Sequence, residues 1–291
     1  MKVIVLGATG MIGSAMLRVL SRREDWDVIG VTRDATRAER LGGALPAACR
    51  SGYDLASPDQ LVRLFRELRP EVVINCVGLT KHLPEGNDPI PALTMNALLP
   101  HRLVELCAVG GARLIHVSTD CVFSGRKGNY REDDPADATD VYGKTKHLGE
   151  VVGDKVLTLR TSTIGHELGT RFGLLEWFLA QRECKGYRRA IFSGVPTVEF
   201  ARVVRDYVML RPDLSGLYHV GAAPIDKDAL LRLIADSYGS GTKIVPDDAV
   251  AIDRSLNADR FAAATGYVAP AWPQLIESMH ENHMSEKSSD V

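Results

Sequence analysis

The first thirteen residues constrain this chain more than any other stretch. Met1-Lys2-Val3-Ile4-Val5-Leu6 is a short, mostly apolar run, and Gly7, Gly10 and Gly13 follow at three-residue spacing. From residue 12 to 22 the apolar positions recur every three or four residues. Such a short apolar run reads as a buried strand, and the later spacing reads as a helix. In the turn between them, Gly7 permits a tight bend and Gly10 lets backbone N–H groups approach an anion. Gly13 lets the helix lie close to the strand, and the helix N-terminus adds partial positive charge. The segment Leu6-Gly7-Ala8-Thr9-Gly10-Met11-Ile12-Gly13 is therefore expected to cradle a dinucleotide pyrophosphate, with Thr9, Met11 and Ile12 beside the glycines.

The same alternation continues along the first half. Residues 3–6, 27–32, 72–77 and 113–118 read as buried strands, while 12–22, 58–68 and 97–109 carry helical spacing. Residues 156–160 read as a further strand, after a helix starting near Asp140. This pattern predicts an α/β fold of Rossmann type, a doubly wound parallel sheet. Past Thr161 the rhythm loosens: helices are expected at 174–181, 199–209 and 227–238, a strand or turn at 191–196, and a return to the sheet at 216–220. The expected division is a dinucleotide-binding domain over 1–160, its sheet completed by parts of 196–222. A smaller, interleaved C-terminal substrate domain takes 161–195 and 223–291. The polar tail from about Ser285 is expected to fray.

Charge and cysteine usage narrow the classes. The 35 basic and 37 acidic residues nearly cancel, so no broad basic field draws nucleic acid or an anionic membrane. Five scattered cysteines without a CxxC pair argue against a disulfide framework or a zinc site. His280 and His283 lack a carboxylate or cysteine cluster and are read as solvated; His166-Glu167 has no second histidine at metalloprotease spacing. No metal is expected. The chain runs directly into its first strand, and no apolar stretch is long enough to span a bilayer. A cytoplasmic location is therefore expected.

The tip of the second strand selects between nicotinamide cofactors. An acid there would accept from the adenosine ribose and repel a 2′-phosphate. The chain has Thr32-Arg33 instead, so Arg33 is expected to grip the 2′-phosphate of NADPH as a charge-assisted donor, with NADH left open. In Tyr53-Asp54-Leu55, Asp54 is a candidate acceptor for the adenine amino group, or equally a turn aspartate.

Tyr142-Gly143-Lys144-Thr145-Lys146 holds a YxxxK pair. Positions i and i+4 share a helix face, so the phenol and the ammonium can enter one cleft. A phenol with a pKa of about 10 releases its proton reluctantly, and a nearby ammonium is expected to lower that value. Tyr142 could then pass a proton to a carbonyl oxygen as hydride reaches its carbon, while Lys146 holds the nicotinamide ribose. Upstream, His116-Val117-Ser118-Thr119-Asp120-Cys121-Val122-Phe123-Ser124-Gly125 ends a buried strand, where functional side chains gather in open α/β sheets. Thr119 is a candidate hydrogen-bond donor to the carbonyl, with Ser118 as its competitor.

These segments carry a family resemblance. The run from Ser118 to Gly125, Tyr130-Arg131-Glu132-Asp133-Asp134-Pro135 and Tyr142-Gly143-Lys144-Thr145-Lys146-His147-Leu148-Gly149-Glu150 are similar to the extended short-chain dehydrogenase/reductases. Within these they most resemble the dTDP-4-dehydrorhamnose reductase family. Asn75-Cys76-Val77-Gly78 and Asn96-Ala97-Leu98-Leu99-Pro100 resemble cofactor-flanking segments, and Leu159-Arg160-Thr161-Ser162 resembles the strand after the catalytic helix. Ser193-Gly194-Val195-Pro196-Thr197 and Arg254-Ser255-Leu256-Asn257 resemble later substrate-domain signatures. The resemblance implies that Thr119, Tyr142 and Lys146 are catalytic, that Asp120 lies in the active site, and that Cys76, Val77, Gly78 and Leu55 flank the cofactor. It also places Arg254 among substrate contacts.

Two departures fall beside the sugar. The resembled family commonly carries aromatic residues where this chain has Cys121 and the Thr163-Ile164 pair, so Cys121 and Thr163 are expected to line an altered sugar wall. Related dehydratases carry Asp-Glu after the threonine, and here Asp120 precedes Cys121, which disfavours dehydration. The resemblance implies reduction of a keto group on a nucleotide-linked sugar of the 4-keto-6-deoxy class, in surface-polysaccharide synthesis, with a nucleotide-sugar epimerase or dehydratase, or a non-catalytic cofactor-binding regulatory subunit, as alternatives. The partner expected is a nucleotide-sugar substrate, with no nucleic acid and no membrane; a homodimer is left open.

Overall fold

Val3 and Val5 point to one side of the first strand, Ile4 and Leu6 to the other, and the two pairs enter different cores. That division follows from the two-residue period of a strand, and it requires helices on both faces of the sheet. The computed structural model describes residues 1–81 and 83–289. Seven parallel strands form the central sheet: β1 (Lys2–Leu6), β2 (Asp27–Val31), β3 (Cys49–Arg50), β4 (Val72–Asn75), β5 (Arg113–Thr119), β6 (Val156–Thr161) and β7 (Gly216–His219). Their spatial order is β7-β6-β5-β4-β1-β2-β3.

One face is covered by α1 (Met11–Leu20), through Met16, Leu17 and Leu20, and by later segments of the chain. The other is covered by α2 (Pro58–Leu68), through Leu61 and Leu64, and by α3 (Leu99–Gly110), through Leu99 and Leu103. The chain winds outward from β1 to β3 and then returns to place β4 against the free side of β1. That reversal opens a crevice at the carboxyl ends of β1 and β4, where open α/β sheets bind their ligands.

Beyond β6 lie α4's successors: after α4 (Val141–Leu148) come α5 (Leu174–Leu179), α6 (Thr197–Val203), α7 (Lys227–Tyr238) and α8 (Trp272–Ser289). A short strand at Ala190–Phe192 pairs with Ile225–Asp226 on one side and Ile252–Asp253 on the other. Asp253 N–H donates to the Gly125 carbonyl at 2.8 Å, and Tyr130 N–H donates to that of Ser255 at 2.8 Å. These bonds bring Arg254 beside the loop that follows β5.

Three expectations need correction. The fourth strand ends at Asn75 rather than Val77, because the Asn75 side chain turns back to accept from the Val77 N–H at 3.1 Å. The tail does not fray from Ser285: α8 runs to Ser289, and Glu286 pairs with Arg18 and accepts from Asn282. His280 and His283 are not simply solvated. His280 stacks on Tyr238 with ring centroids 4.2 Å apart, and His283 stacks on His166 at 3.4 Å. Their helix lies along α7, a neighbour their own spacing does not announce.

Candidate active site

The glycine turn is set by one close approach. Gly7 has φ of +75°, and a Cβ at Gly13 would lie 2.1 Å from the Gly7 carbonyl oxygen. Only glycines let α1 start this near the end of β1. No side chain caps α1 and no acid occupies its first turn, so its N-terminal N–H groups face the crevice with their positive end uncompensated. These features fit an anionic pyrophosphate. Thr9 Oγ1 lies 3.4 Å from Thr32 Oγ1, tying the turn to the tip of β2. Arg33 follows, exposed, with no hydrogen bond or ion pair among the described residues. Asp54, exposed, accepts from the Ala56 N–H at 3.0 Å through one carboxylate oxygen, and Leu55 packs against the core under α2.

Met11 and Ile12 line one cleft together with Cys76, Val77 and Gly78. The same cleft is lined by Thr119, Asp120, Cys121, Tyr142, Lys146 and Thr163. The structure thus joins the glycine turn, the end of β4, the end of β5 and the YxxxK helix.

Two contacts hold α4 in place. Asp140 caps it by accepting from the Gly143 N–H at 2.8 Å. A Cβ at Gly143 would lie 2.3 Å from the Cys121 carbonyl oxygen, so glycine here lets the helix press against the turn carrying Thr119 and Asp120. Asn96, buried in a π-helical stretch (Leu93–Leu98), ties α4 to the loop after β4. Its Oδ1 accepts from the Leu79 N–H at 2.8 Å, and its Nδ2 donates to the Thr145 hydroxyl at 3.1 Å. Single π-turns of this kind recur at functional sites.

The electrostatics differ from the expectation at Tyr142. Its phenol is pushed above the ordinary value by burial, then by the neighbouring Cys121, while the Thr119 hydroxyl pulls the other way. The Lys146 ammonium, expected to lower it, donates instead to the Val117 carbonyl at 2.8 Å. Burial pulls Lys146 down to about 8, against the charge of Glu150. A lysine in so dry a place stays charged only at a cost.

Ser118 and Thr119 both line the cleft and differ in their partners. Ser118 donates its proton to Glu150 Oε1 at 2.7 Å. Thr119 accepts from the Cys121 N–H and donates to Asp120 Oδ1, both at 3.1 Å. Burial pushes the Asp120 carboxyl up, opposed first by the charge of Arg254. The Cys121 thiol is pushed up to about 12 by burial and is therefore neutral. Arg254 reaches this turn from the far end of the chain: its Nε donates to the Phe123 carbonyl at 2.8 Å, and one Nη lies 3.9 Å from Cys121 Sγ.

Sequence reasoning missed Thr80, Lys81 and Ser162, which also line the cleft, and the buried partners Glu150, Asn75 and Asn96. Asn75 and Asn96 stood inside quoted motifs, but nothing in their spacing announces the bonds they make. Among the described residues no group of histidine, cysteine and carboxylate side chains could hold a metal ion. No described helix is long and apolar enough to cross a membrane.

A parallel sheet with a glycine turn at its switch point and a Thr–Tyr–Lys cleft defines a Rossmann-type protein of the short-chain dehydrogenase/reductase class. The chain belongs to the RmlD substrate binding domain family, whose model matches residues 1–224. It is 34% identical over 148 residues to a dTDP-4-dehydrorhamnose reductase of Streptomyces griseus, covering 50% of this chain and 43% of that protein. It is 30% identical over 151 residues to methionine adenosyltransferase 2 subunit beta of Xenopus laevis, covering 51% and 41%. The chain spans about half the length of the first curated relatives it matches. Its fold is similar to that of a Bacillus anthracis dTDP-4-dehydrorhamnose reductase solved in complex with NADP. The TM-score is 0.80 at 19% identity, over 97% of this chain and 99% of that one.

Proposed function

We propose that this chain reduces a keto group on a nucleotide-linked sugar, of the 4-keto-6-deoxy class, with NADPH as reductant, in cytoplasmic surface-polysaccharide synthesis. The observation that carries the reading is the meeting of Thr119, Tyr142 and Lys146 in one cleft with the glycine turn. Reduced nicotinamide, when bound, supplies the hydride. The chain's own residues supply the rest. The raised Tyr142 keeps its phenolic proton at neutral pH, which suits a donor to a carbonyl oxygen gaining negative charge. Lys146, with a value of about 8, is mostly charged at neutral pH, lies one helical turn away and stabilises the phenolate once the proton has left. Thr119 rotates its hydroxyl from Asp120 to the carbonyl oxygen and orients it. Cys121 offers no second carboxylate after Asp120, which favours reduction over elimination.

A second reading, a cofactor-binding subunit of another enzyme, is favoured by the likeness to methionine adenosyltransferase 2 subunit beta. One assay separates the two. NADPH is offered with 4-keto-6-deoxy nucleotide sugars, free keto-sugars and simple ketones. Oxidation of NADPH confined to the nucleotide sugars supports the reductase; comparable turnover of simple ketones refutes that substrate class, and no turnover of any of them favours the subunit.

A further inference from the structure

Asn75 and His116 stand in register on β4 and β5, and both are completely buried. Their partners fix every proton between them. Asn75 Oδ1 accepts from the Val77 N–H at 3.1 Å, and a backbone N–H can only donate. The amide nitrogen of Asn75 is therefore the group that faces His116 Nδ1, 3.1 Å away. That nitrogen is itself only a donor, so Nδ1 must offer a lone pair, and the ring proton sits on Nε2. Nε2 is buried and has no hydrogen-bond partner among the described residues. Thr158, next in the row on β6, spends its hydroxyl on the Val151 carbonyl at 2.6 Å.

A buried N–H without an acceptor is costly, and an apolar side chain at position 116 would avoid that cost. It would also leave Asn75 Nδ2 buried without an acceptor, and with it would go the contact that keeps Oδ1 on the Val77 N–H. What that bond holds is one wall of the crevice. Cys76, Val77 and Gly78 line the cleft, and the Cys76 N–H donates to the Leu6 carbonyl at 3.1 Å. A Cβ at Gly7 would lie 3.2 Å from Val77 Cγ2 and 3.3 Å from the Cys76 carbonyl oxygen. The loop after β4 thus rests directly on the glycine turn. Burial, then the charges of Lys146 and His101, pull His116 well below the usual histidine range. The imidazolium, with a proton on Nδ1, is the form that the Asn75 amide opposes.

We infer that His116 is a positioning residue for the cofactor: its neutral ring, protonated on Nε2, holds the Asn75 amide in one orientation and so sets the loop from Cys76 to Gly78 against the glycine turn. His116 itself does not line the cleft; it acts through Asn75 and the Val77 N–H. The inference rests on the nicotinamide half of the reading above and is indifferent to which ketone is reduced. Without the lock, Val77 is free to move off Gly7. Bound NADPH would then have to reorder the loop, and that ordering is subtracted from its affinity.

The test uses the full chain. Nitrogen NMR of the imidazole rings at neutral pH, with the His116 signals assigned by their loss in His116→Asn, should show the proton on Nε2 and a hydrogen-bonded lone pair on Nδ1. His116→Phe keeps a ring but offers no acceptor, and NADPH should bind it about tenfold more weakly. Its Val77 amide should exchange with solvent about tenfold faster while the amides of β1 stay protected. His116→Asn, whose Oδ1 can stand where Nδ1 stood, should recover most of both. A proton on Nδ1 overturns the inference, as does a His116→Phe variant that matches the unaltered protein in Val77 protection and NADPH affinity. Equally faster exchange of every strand amide in that variant also overturns it, since that is lost stability without a local lock. The tautomer is read in the unaltered protein, so it decides even where His116→Phe does not fold. These results, with no turnover of any keto-sugar, keep the inference and refute the reductase reading alone.

Discussion

Glu150 and Arg160 form a buried, two-pronged ion pair directly beneath the cleft: Arg160 Nε donates to Oε1 and Nη2 to Oε2, each at 2.7 Å. Their side chains are 7% and 3% exposed. Oε1 also takes the Ser118 proton, and Oε2 lies 3.1 Å from His147 Nδ1. Arg160 continues to His219 Nε2 at 3.2 Å, whose Nδ1 faces the Tyr130 and Asn257 carbonyls. One network thus joins β5, the end of α4, β6, β7 and the segment after Arg254.

Breaking one side of such a pair leaves a buried charge without its counterpart. Glu150→Gln should cost about 3–5 kcal/mol, and combining it with Arg160→Met should recover part of that loss by non-additivity. Denaturant unfolding of the two single variants and the double one checks this. A Glu150→Gln cost below about 1 kcal/mol would sink the argument.

The same carboxylate sets an acid limit. Burial pushes Glu150 up, but the hydrogen bond and charge of Arg160, with Ser118 and His147, hold it below the usual value. A depressed carboxyl contributes stability above its unfolded pKa, about 4.3, and loses it as pH falls through the lower folded value. Melting temperature should therefore fall more steeply below about pH 4.3 in the unaltered chain than in Glu150→Gln. Parallel pH profiles would refute it.

Lys146 should trade stability for function. Its folded value of about 8 lies below the ordinary lysine value of about 10.4. The unfolded chain binds more protons between the two, so stability rises with pH across that window, and the full penalty applies below it. Lys146→Met should raise stability at pH 7 by about 1–3 kcal/mol, flatten that rise and abolish turnover. A destabilised variant would count against the assignment.

Tyr142→Phe removes one oxygen and keeps the ring. Turnover should fall by roughly 10²–10⁴-fold with NADPH affinity intact. Near-full activity in a stopped assay of NADPH oxidation would exclude Tyr142 as proton donor.

Arg33→Ala should weaken NADPH and leave NADH unchanged, by loss of a charge-assisted contact worth about 1.5–3 kcal/mol. Equal affinities of the unaltered protein for the two cofactors, by fluorescence titration, would refute the role given to Arg33.

Much was legible in the sequence because it depends on local geometry. Strand and helix periods placed β1, α1, α2 and α7, and the glycine spacing announced the turn in which Gly13 must approach Gly7. The i, i+4 spacing alone put Tyr142 and Lys146 on one helix face. What tertiary structure decided is everything that depends on distant neighbours. Spacing implied that Lys146 would lower Tyr142, yet burial beside Cys121 raises it, and the ammonium turns to Val117. The family-like segment around Arg254 pointed to the substrate side, but no local spacing announces that its guanidinium reaches the turn after β5, where it acts on Asp120. Likewise His166 and His283 become stacked rings only because α8 returns across the loop after β6. Periodicity is carried by consecutive residues, whereas desolvation and charge pairing belong to whichever segments folding brings to the same point.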